Sequence, residues 1–312
     1  MATPLILRLI YKRVEPAGSQ KVQAGLFGDS YNVKLYSVAL KGLILQDPST
    51  IEVILVRPER GLFRINEKVW VQYCRWHSGP LDKPDNPVER IYCNLPADGY
   101  CRQHKKSERA LYERCVTLHG DKGLGACKLL DRMVRSEYVV YLTDFGGEKP
   151  KIGITRRFRY LERLAEQTHI TATVLTVTDS AYNARLLEIK ASKMGLAQEM
   201  HRKSSFTSRP TGESAIRLSY WAERVAKALG VNWDGELIRV IPPEGWRSFL
   251  PVRKPETFKE VFRVAAFWGG YLYVISNERK AYFPVRPLQH KDSLELVEIG
   301  DKSSKDGDNS IG

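Results

Sequence analysis

The sequence predicts an α+β protein in which a small α/β core lies between two β-rich units and follows a segment rich in cysteine and histidine. The 312 residues are 43% hydrophobic, which is too apolar for a disordered chain. At roughly 100–200 residues per domain, this length favours two or three domains over one compact unit. The residue pattern changes along the chain from strand-like to irregular, then to alternating strands and helices, and back to strands. We therefore place units at 1–73, 74–130, 131–231 and 232–300, with a disordered tail at 301–312.

The charge balance indicates a polyanionic partner. The chain has 49 Lys and Arg residues against 36 Asp and Glu residues, for a formal charge of +13. Basic side chains that neutralise phosphates release counterions, which drives association with nucleic acid. No apolar run reaches the roughly 18–20 residues of a membrane span, and the first run is broken at Arg8. We expect a cytoplasmic protein that binds nucleic acid and does not cross a membrane.

The first unit, residues 1–73, has the pattern of β-strands. Residues alternate between the two faces of a strand at 33–38. The stretches 51–56 and 61–73 are rich in β-branched and aromatic residues and are separated by Pro and Gly turns. A small β-sheet is predicted here.

Two Cys-x2-His pairs in the second unit, residues 74–130, predict a metal site. The first pair, Cys74 and His77, precedes a glycine turn, and the second pair, Cys101 and His104, opens a helix-prone stretch at 105–115. Four such ligands complete the tetrahedral shell of a structural zinc ion and leave no open position for catalysis. A knuckle combined with a ligand pair at a helix start resembles a treble-clef zinc site.

The other three cysteines leave the ligand sets open. Cys93 is an alternative to His77 in the first site. It can also join Cys115, His119 and Cys127 in a weaker second zinc site of four ligands. Because the cysteine count is odd and histidines lie nearby, metal ligation is favoured over disulfide bonds. We expect one or two structural zinc ions.

The third unit, residues 131–231, alternates strands and helices. Its first two β-prone runs flank a glycine turn and predict a hairpin. Asp179 and Ser180 are good N-caps for one of the helices that follow, and Gly230 is a good stop for another. The predicted strands cover 138–143, 151–155 and 170–178, and the predicted helices cover 156–167, 184–194 and 213–229.

The fourth unit, residues 232–300, returns to strands. The runs at 262–267 and 271–276 flank Gly269-Gly270 and predict a second hairpin. The residues that follow this unit are polar, which predicts the disordered tail.

Four stretches of the third unit have the residues of a known set of motifs. They are Tyr138-Val-Val-Tyr141-Leu, Lys151-Ile-Gly153-Ile-Thr155, Glu162-Arg163-Leu164 and Ala184-Arg-Leu-Leu-Glu188. These stretches are similar to the GIY-YIG nuclease superfamily, and the order of hairpin, helix, strand and helix also resembles the small α/β domain of that superfamily over 135–230, a third of the chain. Together with its Cys/His segment, the chain further resembles an uncharacterised prokaryotic family of unknown function.

The resemblance assigns roles to the two motif strands. Tyr141 matches the tyrosine of the first motif and would help to activate water, with Tyr138 as a competing assignment. Gly153 matches the glycine of the second motif. Lys151 stands where the second motif has a tyrosine, and as a cation it would bind phosphate.

The resemblance also assigns roles to two helix residues. Arg163 matches the helix arginine and would stabilise charge that develops on the phosphate. Glu188 matches the carboxylate that holds a divalent ion, Mg²⁺ or Mn²⁺. Glu188 also shares a helix face with small apolar residues, where a carboxylate requires a partner or a metal. These roles imply a metal-dependent endonuclease, with DNA preferred to RNA as substrate.

Two other functions fit the same residues. Arg156, Arg159 and Arg163 lie on one stripe that would run along phosphates, and Arg157, Arg159, Arg163 and Lys151 predict a basic clamp. The residues expected to bind nucleic acid are Gly153, Arg156, Arg157 and Arg159. A catalytically inactive protein would use this clamp only to bind DNA or RNA. A third interpretation is a regulatory role in a larger assembly, with aromatic contacts at Tyr220, Trp221, Trp246 and Trp268.

Overall fold

The computed structural model describes residues 4–23, 28–66, 72–199, 211–290 and 292–299. The strands in these ranges are β1 (Pro4–Gln23), β2 (Ser30–Gln46), β3 (Val53–Val56), β4 (Gly61–Asn66), β5 (Tyr138–Asp144), β6 (Lys151–Arg156), β7 (Thr171–Thr178), β8 (Leu237–Val240), β9 (Leu250–Pro251), β10 (Phe262–Trp268), β11 (Tyr271–Ser276), β12 (Lys280–Pro284) and β13 (Ser293–Ile299). The α-helices are α1 (Glu108–Thr117), α2 (Gly120–Met133), α3 (Tyr160–Ala165), α4 (Ala181–Lys193), α5 (Gly212–Leu229) and α6 (Val285–His290). The predicted α+β class is confirmed, and the predicted tail at 301–312 lies outside the described residues.

The strands form one connected path of hydrogen-bonded neighbours, in the order β6-β5-β7-β8-β2-β1-β13-β4-β10-β11-β12-β9, with β3 paired to β2. The long strand β1 pairs with β2 along most of its length and with β13 at its start. The strands β1 and β2 therefore lie between β8, which also neighbours β7 of the third unit, and β13 of the last unit.

Two apolar cores lie on opposite sides of β5, which explains why all seven of its residues are buried. Val140 and its alternate neighbours pack into a core with the small residues of α4 and α5. Val139 and Tyr141 pack into another core with Leu164 of α3 and Trp268 of β10. A strand that is covered on both faces has a continuous apolar run, as this one does.

Both predicted hairpins are confirmed. β5 and β6 pair in antiparallel fashion, with Tyr141 opposite Gly153, and β10 pairs with β11 across Gly269 and Gly270. The predicted strand at 61–73 forms only over Gly61–Asn66, and residues 67–71 lie outside the described ranges.

The helix predicted at 156–167 is shorter than expected. Arg156 is still paired with Tyr138 in the β5–β6 ladder, and the Arg157 amide donates to the Glu137 carbonyl at 2.8 Å. A 3-10 turn then covers Arg157–Arg159, so that α3 begins at Tyr160. Arg156 therefore belongs to the sheet and Arg157–Arg159 to a 3-10 turn, although helix periodicity assigned them to the first turn of the helix.

The helix α2 is absent from the sequence prediction, yet it supports α4. The carboxylate of Asp131, near the end of α2, accepts hydrogen bonds from the Ala181 amide at 2.8 Å, the Tyr182 amide at 3.0 Å and the Ser180 hydroxyl at 2.7 Å. The predicted N-cap Ser180 also accepts from the Asn183 amide at 3.1 Å. These bonds satisfy amides at the start of α4, the helix that carries Glu188.

The other helix boundaries follow the predicted signals. α5 begins with a capping box formed by Thr211 and Ser214 and ends at Gly230, whose φ is 73°. No helix in the described residues is long and apolar enough to cross a membrane.

Candidate functional site

Three cysteines and one histidine of the second unit form a compact cluster. The potential ligand atoms of Cys74, Cys93, Cys101 and His104 all lie within 4.8 Å of one another. The Sγ of Cys101 lies 3.3 Å from Nδ1 of His104 and 4.0 Å from Sγ of Cys93. A tetrahedral ion with ligand bonds of about 2.0–2.3 Å requires ligand separations of about 3.3–3.8 Å. The cluster can therefore hold a metal ion.

Backbone pairing of two segments builds this cluster. The Cys74 amide donates to the Leu95 carbonyl at 2.9 Å, and the Cys93 amide donates to the Trp76 carbonyl at 3.0 Å. Arg8 of β1 donates to the Cys74 carbonyl at 2.7 Å and thereby attaches the cluster to the sheet. The indole of Trp76 stacks on His104, with ring centroids 4.1 Å apart.

The prediction of His77 as a ligand is wrong, and Cys93, the alternative, takes its place. Nδ1 of His77 accepts a hydrogen bond from the Gly79 amide at 3.2 Å, and Nε2 lies 3.2 Å from a guanidinium nitrogen of Arg90. Burial and the nearby charges of Arg109 and Arg90 lower the pKa of His77 to about 2. The ring is therefore neutral and is held away from the cluster by its own hydrogen bonds.

The predicted second zinc site is also wrong. Cys115 and Cys127 form a disulfide that joins α1 to α2, and Cys93 belongs to the first cluster. Nδ1 of His119 lies 2.9 Å from a carboxylate oxygen of Glu199. The odd cysteine count was misleading because three thiols serve one site and two serve a disulfide.

The residues that the sequence predicted for chemistry converge on one cavity of about 330 Å³, which we call the central cavity. Tyr141, Lys151, Gly153, Arg163 and Glu188 all line it. Residues of α1, among them Arg109, Tyr112 and Glu113, also line it, and this helix begins four residues after His104. The cavity is therefore lined both by the α/β core and by the helix that follows the Cys/His cluster.

Gly153 allows the ring of Tyr141 to lie against β6. A Cβ atom at position 153 would lie 2.8 Å from both Cζ and the hydroxyl oxygen of Tyr141, which is closer than atoms pack. The Tyr141 hydroxyl accepts a hydrogen bond from Nε2 of Gln167 at 3.1 Å. Burial raises the pKa of Tyr141, so the phenol stays protonated at neutral pH.

Glu188 has a buried partner that sequence reasoning missed. Its carboxylate is 4% exposed and bonds to the guanidinium of Arg185, which is 2% exposed. Arg185 also donates to the Leu118 carbonyl at 2.8 Å and approaches Glu199 at 3.3 Å. Burial raises the pKa of Glu188 to about 7, although Arg185 opposes the rise. The spacing of three residues between Arg185 and Glu188 on one helix was the available signal.

Two cations, Lys151 and Arg163, line the central cavity together with Glu188. Burial and the charge of Arg163 lower the pKa of Lys151 to about 8. Arg163 forms an ion pair with Glu166 at 3.0 Å. Glu166 was not predicted, and it also pairs with Arg159 at 3.5 Å and with Lys12 at 3.3 Å.

The basic residues predicted to bind phosphates lie in different environments in the structure. Arg156 is buried and lines the central cavity with Arg159. Arg157 does not line this cavity, because its side chain is 60% exposed and pairs with Glu137 at 3.1 Å. The basic residues that line the cavity outnumber the acidic ones: Arg75, Arg109, Lys151, Arg156, Arg159 and Arg163 against Glu113, Glu166, Glu188 and Glu199.

Two of the four aromatics considered for a partner surface lie on α5. Tyr220 is 49% exposed and packs edge-on against Trp221 at 5.5 Å. Trp268, by contrast, is 2% exposed and belongs to the core with Tyr141. Trp246 packs against Trp268 with ring centroids 6.1 Å apart.

Comparison of the chain with protein-family models, with curated proteins and with solved structures finds no match.

Proposed function

We propose that the protein binds nucleic acid at the central cavity and cleaves its phosphodiester backbone with a divalent metal ion. The observation that carries this proposal is the convergence of Tyr141, Lys151, Arg163 and Glu188 on one cavity. These residues are separated by up to 47 positions in sequence, and they supply a phenol, two cations and a carboxylate. The excess of basic residues in the lining favours a phosphate-containing ligand.

The chemistry of these groups suits phosphodiester cleavage. Glu188 would hold Mg²⁺ or Mn²⁺, because these ions bind through few carboxylates together with water and phosphate oxygens. The bound ion would supply an activated water molecule and neutralise phosphate charge. Arg163 and Lys151 would stabilise the negative charge that develops on the phosphate. Tyr141 remains protonated and would donate a hydrogen bond that orients the phosphate or the water.

We propose zinc as the ion of the Cys74, Cys93, Cys101 and His104 cluster. Three thiolates and an imidazole form one of the common ligand sets of structural zinc. Four protein ligands leave no open position, so the role of this ion is to fix the fold and to position α1 at the cavity.

Paired substitutions test the zinc proposal. We expect elemental analysis of the purified protein to give one zinc per chain, and Cys93→Ser to lose it. His77→Asn is the matched control, because His77 lies next to the cluster and outside its ligand set, and it should retain the ion. Retention of zinc in Cys93→Ser together with its loss in His77→Asn would contradict the assigned ligand set.

A second function is favoured by the bond between Arg185 and Glu188. Arg185 satisfies this carboxylate without a metal, and the raised pKa of Glu188 weakens its attraction for a cation. In this alternative the central cavity binds DNA or RNA phosphates and does not cleave them. Binding would then depend strongly on salt and not on a divalent metal.

A cleavage panel separates the two functions. The full chain is incubated with single-stranded, duplex and branched DNA and with RNA, in Mg²⁺, Mn²⁺ or EDTA. We expect metal-dependent products from the wild type and a loss of about 100-fold or more in Glu188→Gln, because the metal ligand is removed. Glu223→Gln, on the exposed face of α5, should cleave like the wild type.

Two outcomes would contradict the proposal that Glu188 and a metal ion cleave the bound strand. One is binding without products on every substrate and in every metal, which leaves the binding function. The other is equal cleavage by Glu188→Gln and the wild type, which removes Glu188 from the mechanism. Circular dichroism of the two variants verifies that each is folded.

A further inference from the structure

A second, smaller cavity adjoins the central cavity at the seam between the Cys/His segment, β1 and the core. Its volume is about 140 Å³, below the roughly 300 Å³ at which pockets for drug-sized ligands begin. We call it the side cavity and define it by its charged residues, which are Lys12, Asp85, Arg90, Arg109, Arg156, Arg159, Glu162 and Glu166. Arg109, Arg156 and Arg159 line both cavities.

Arg156 is the unusual residue of this seam. Its side chain is 2% exposed, and its guanidinium lies 3.8 Å from the ring centroid of Tyr112. Its Nε and Nη2 are buried without a hydrogen-bond partner among the described residues. A buried charge with unsatisfied donors is strongly unfavourable unless an anion pairs with it.

The neighbours of Arg156 do not provide that anion. The carboxylate of Asp85 is engaged by Arg90 at 2.5 Å, and that of Glu162 by Arg159 at 3.7 Å. Glu166 is shared by Lys12, Arg159 and Arg163. Arg109 donates to the carbonyls of His77, Gly79 and Pro80.

Arg109 also lacks a carboxylate partner in the described part of the chain. Burial, with the nearby charges of Arg90 and Arg156, lowers the pKa of Arg109 to about 10. The side cavity is therefore lined by two guanidinium groups, the buried one of Arg156 and the half-buried one of Arg109, that have no carboxylate partner among the described residues, because the three carboxylates of this cavity pair with other cations.

We propose that the side cavity is an anion subsite in which Arg156 binds a phosphate group of the nucleic acid that occupies the central cavity. This inference rests on the proposed function for the identity of the ligand. Guanidinium groups bind phosphate through paired N–H donors. A cavity of this size suits a phosphate and not a nucleoside. Because Arg109, Arg156 and Arg159 line both cavities, a phosphate bound here would belong to the strand bound in the central cavity.

The first experiment is titration of inorganic phosphate into the full chain by calorimetry at constant ionic strength. Saturable binding to the wild type is expected. Arg156→Met removes the charge and keeps an apolar stem over Tyr112, and it should weaken binding about tenfold, the value of a charge-assisted hydrogen bond. Arg157→Met is the matched control, and its exposed, paired side chain should change binding by less than about twofold.

Thermal unfolding without and with phosphate distinguishes phosphate binding by Arg156 from a purely structural role of this residue. Without phosphate, Arg156→Met should unfold at the same temperature as the wild type or at a higher one, because an uncompensated buried charge has been removed. With phosphate, the order should reverse. If the Met variant does not fold, Arg156→Lys should fold and bind phosphate more weakly, because a single ammonium cannot form the paired bonds.

The source of the phosphate is distinguished with oligonucleotides that carry or lack a 5′-phosphate. Tighter binding of the phosphorylated strand, lost in Arg156→Met, assigns a terminal phosphate to the subsite. Equal binding of both strands, weakened equally in Arg156→Met, assigns an internal phosphodiester.

Several results would overturn the subsite. They are an absence of phosphate binding by the wild type, binding that is unchanged in Arg156→Met, and binding lost in Lys151→Met but not in Arg156→Met, since Lys151 lines only the central cavity. Phosphate binding needs no cleavage, so it should persist in Glu188→Gln. A failed cleavage panel with intact phosphate binding would reject the nuclease and leave the subsite in place.

Discussion

Gly153 and Tyr141 lie opposite each other in the β5–β6 ladder, and both line the central cavity. Because a methyl group at position 153 would overlap the phenol, we expect Gly153→Ala to displace the Tyr141 ring. The overlap should cost about 1–3 kcal/mol of unfolding free energy and weaken ligand binding at the cavity. Chemical denaturation and nucleic-acid binding measure the two effects.

Gly125 provides the control for this substitution. It lies inside α2, and a Cβ atom there would meet nothing within 4 Å. Gly125→Ala should therefore stabilise the protein by up to about 1 kcal/mol. Equal effects of the two substitutions would show that the Tyr141 contact is not the cause.

Glu166 should make the stability of the protein depend on pH. Burial opposes its ionisation, but Lys12, Arg159 and Arg163 lower its pKa to about 2, from an ordinary value of 4.5. A carboxyl group with a lowered pKa contributes stability above its unfolded pKa and loses it as pH falls toward the folded value. Glu166→Gln should therefore destabilise the protein by about 3 kcal/mol at pH 7, and by progressively less between pH 4.5 and 2. A loss that does not shrink as pH falls in this window would contradict the prediction.

Sequence patterns did not predict helix α2, which forms a hairpin with α1. Helix α2 contains Gly120, Gly123 and Gly125, which lower its intrinsic helix propensity. Tertiary contacts compensate, because the disulfide ties α2 to α1 and Gly123 approaches the Leu118 carbonyl so closely that a Cβ atom would lie 2.3 Å from its oxygen. By contrast, α5 was predicted nearly to the residue because its cap, apolar stripe and glycine stop are all local.

The disulfide predicts how many cysteine thiols of the denatured protein react before and after reduction. Denatured, unreduced protein in the presence of a chelator should react with three equivalents of thiol reagent, from Cys74, Cys93 and Cys101, and with five after reduction. Five equivalents before reduction would show that Cys115 and Cys127 are not bonded.

The same bond should contribute to stability. A cross-link over 12 residues restricts the unfolded chain by about 3 kcal/mol, so Cys115→Ser with Cys127→Ser should lower the unfolding free energy by about that amount. The comparison is made in the absence of reductant, because reduced wild type should unfold like the double variant.

The sequence predicted only those site residues whose role follows from one residue type at one position of a motif. Tyr141, Lys151, Gly153, Arg163 and Glu188 were named from their motifs, and they share a cavity. Arg185 and Cys93 were not fixed by local sequence, since their roles depend on which backbone segments pair and on what is buried beside them. The same limit applies to Arg156, whose isolation becomes visible only when two separate segments close over it.

At the scale of the whole molecule, the α/β core is not closed by its own residues. Val22 and Val33 pack in the core of α4 and α5, and Ile238 and Trp268 pack in the core of Tyr141. A fragment of residues 131–231 would expose those faces to water. We expect it to aggregate or to lack a cooperative unfolding transition, as measured by sedimentation velocity and circular dichroism, whereas the full chain unfolds cooperatively. A monomeric, cooperatively folded fragment would contradict this.

The pairing of β1 with β13 has a consequence for how the chain is made. Leu5 lies opposite Leu294, so during synthesis the start of β1 has no β13 to pair with until the residues that separate these two positions have been made. An open strand edge of this kind can pair with other chains, and contacts at such sequence separation form slowly. Newly made protein should therefore depend on chaperones that shield β1 until its last partner arrives.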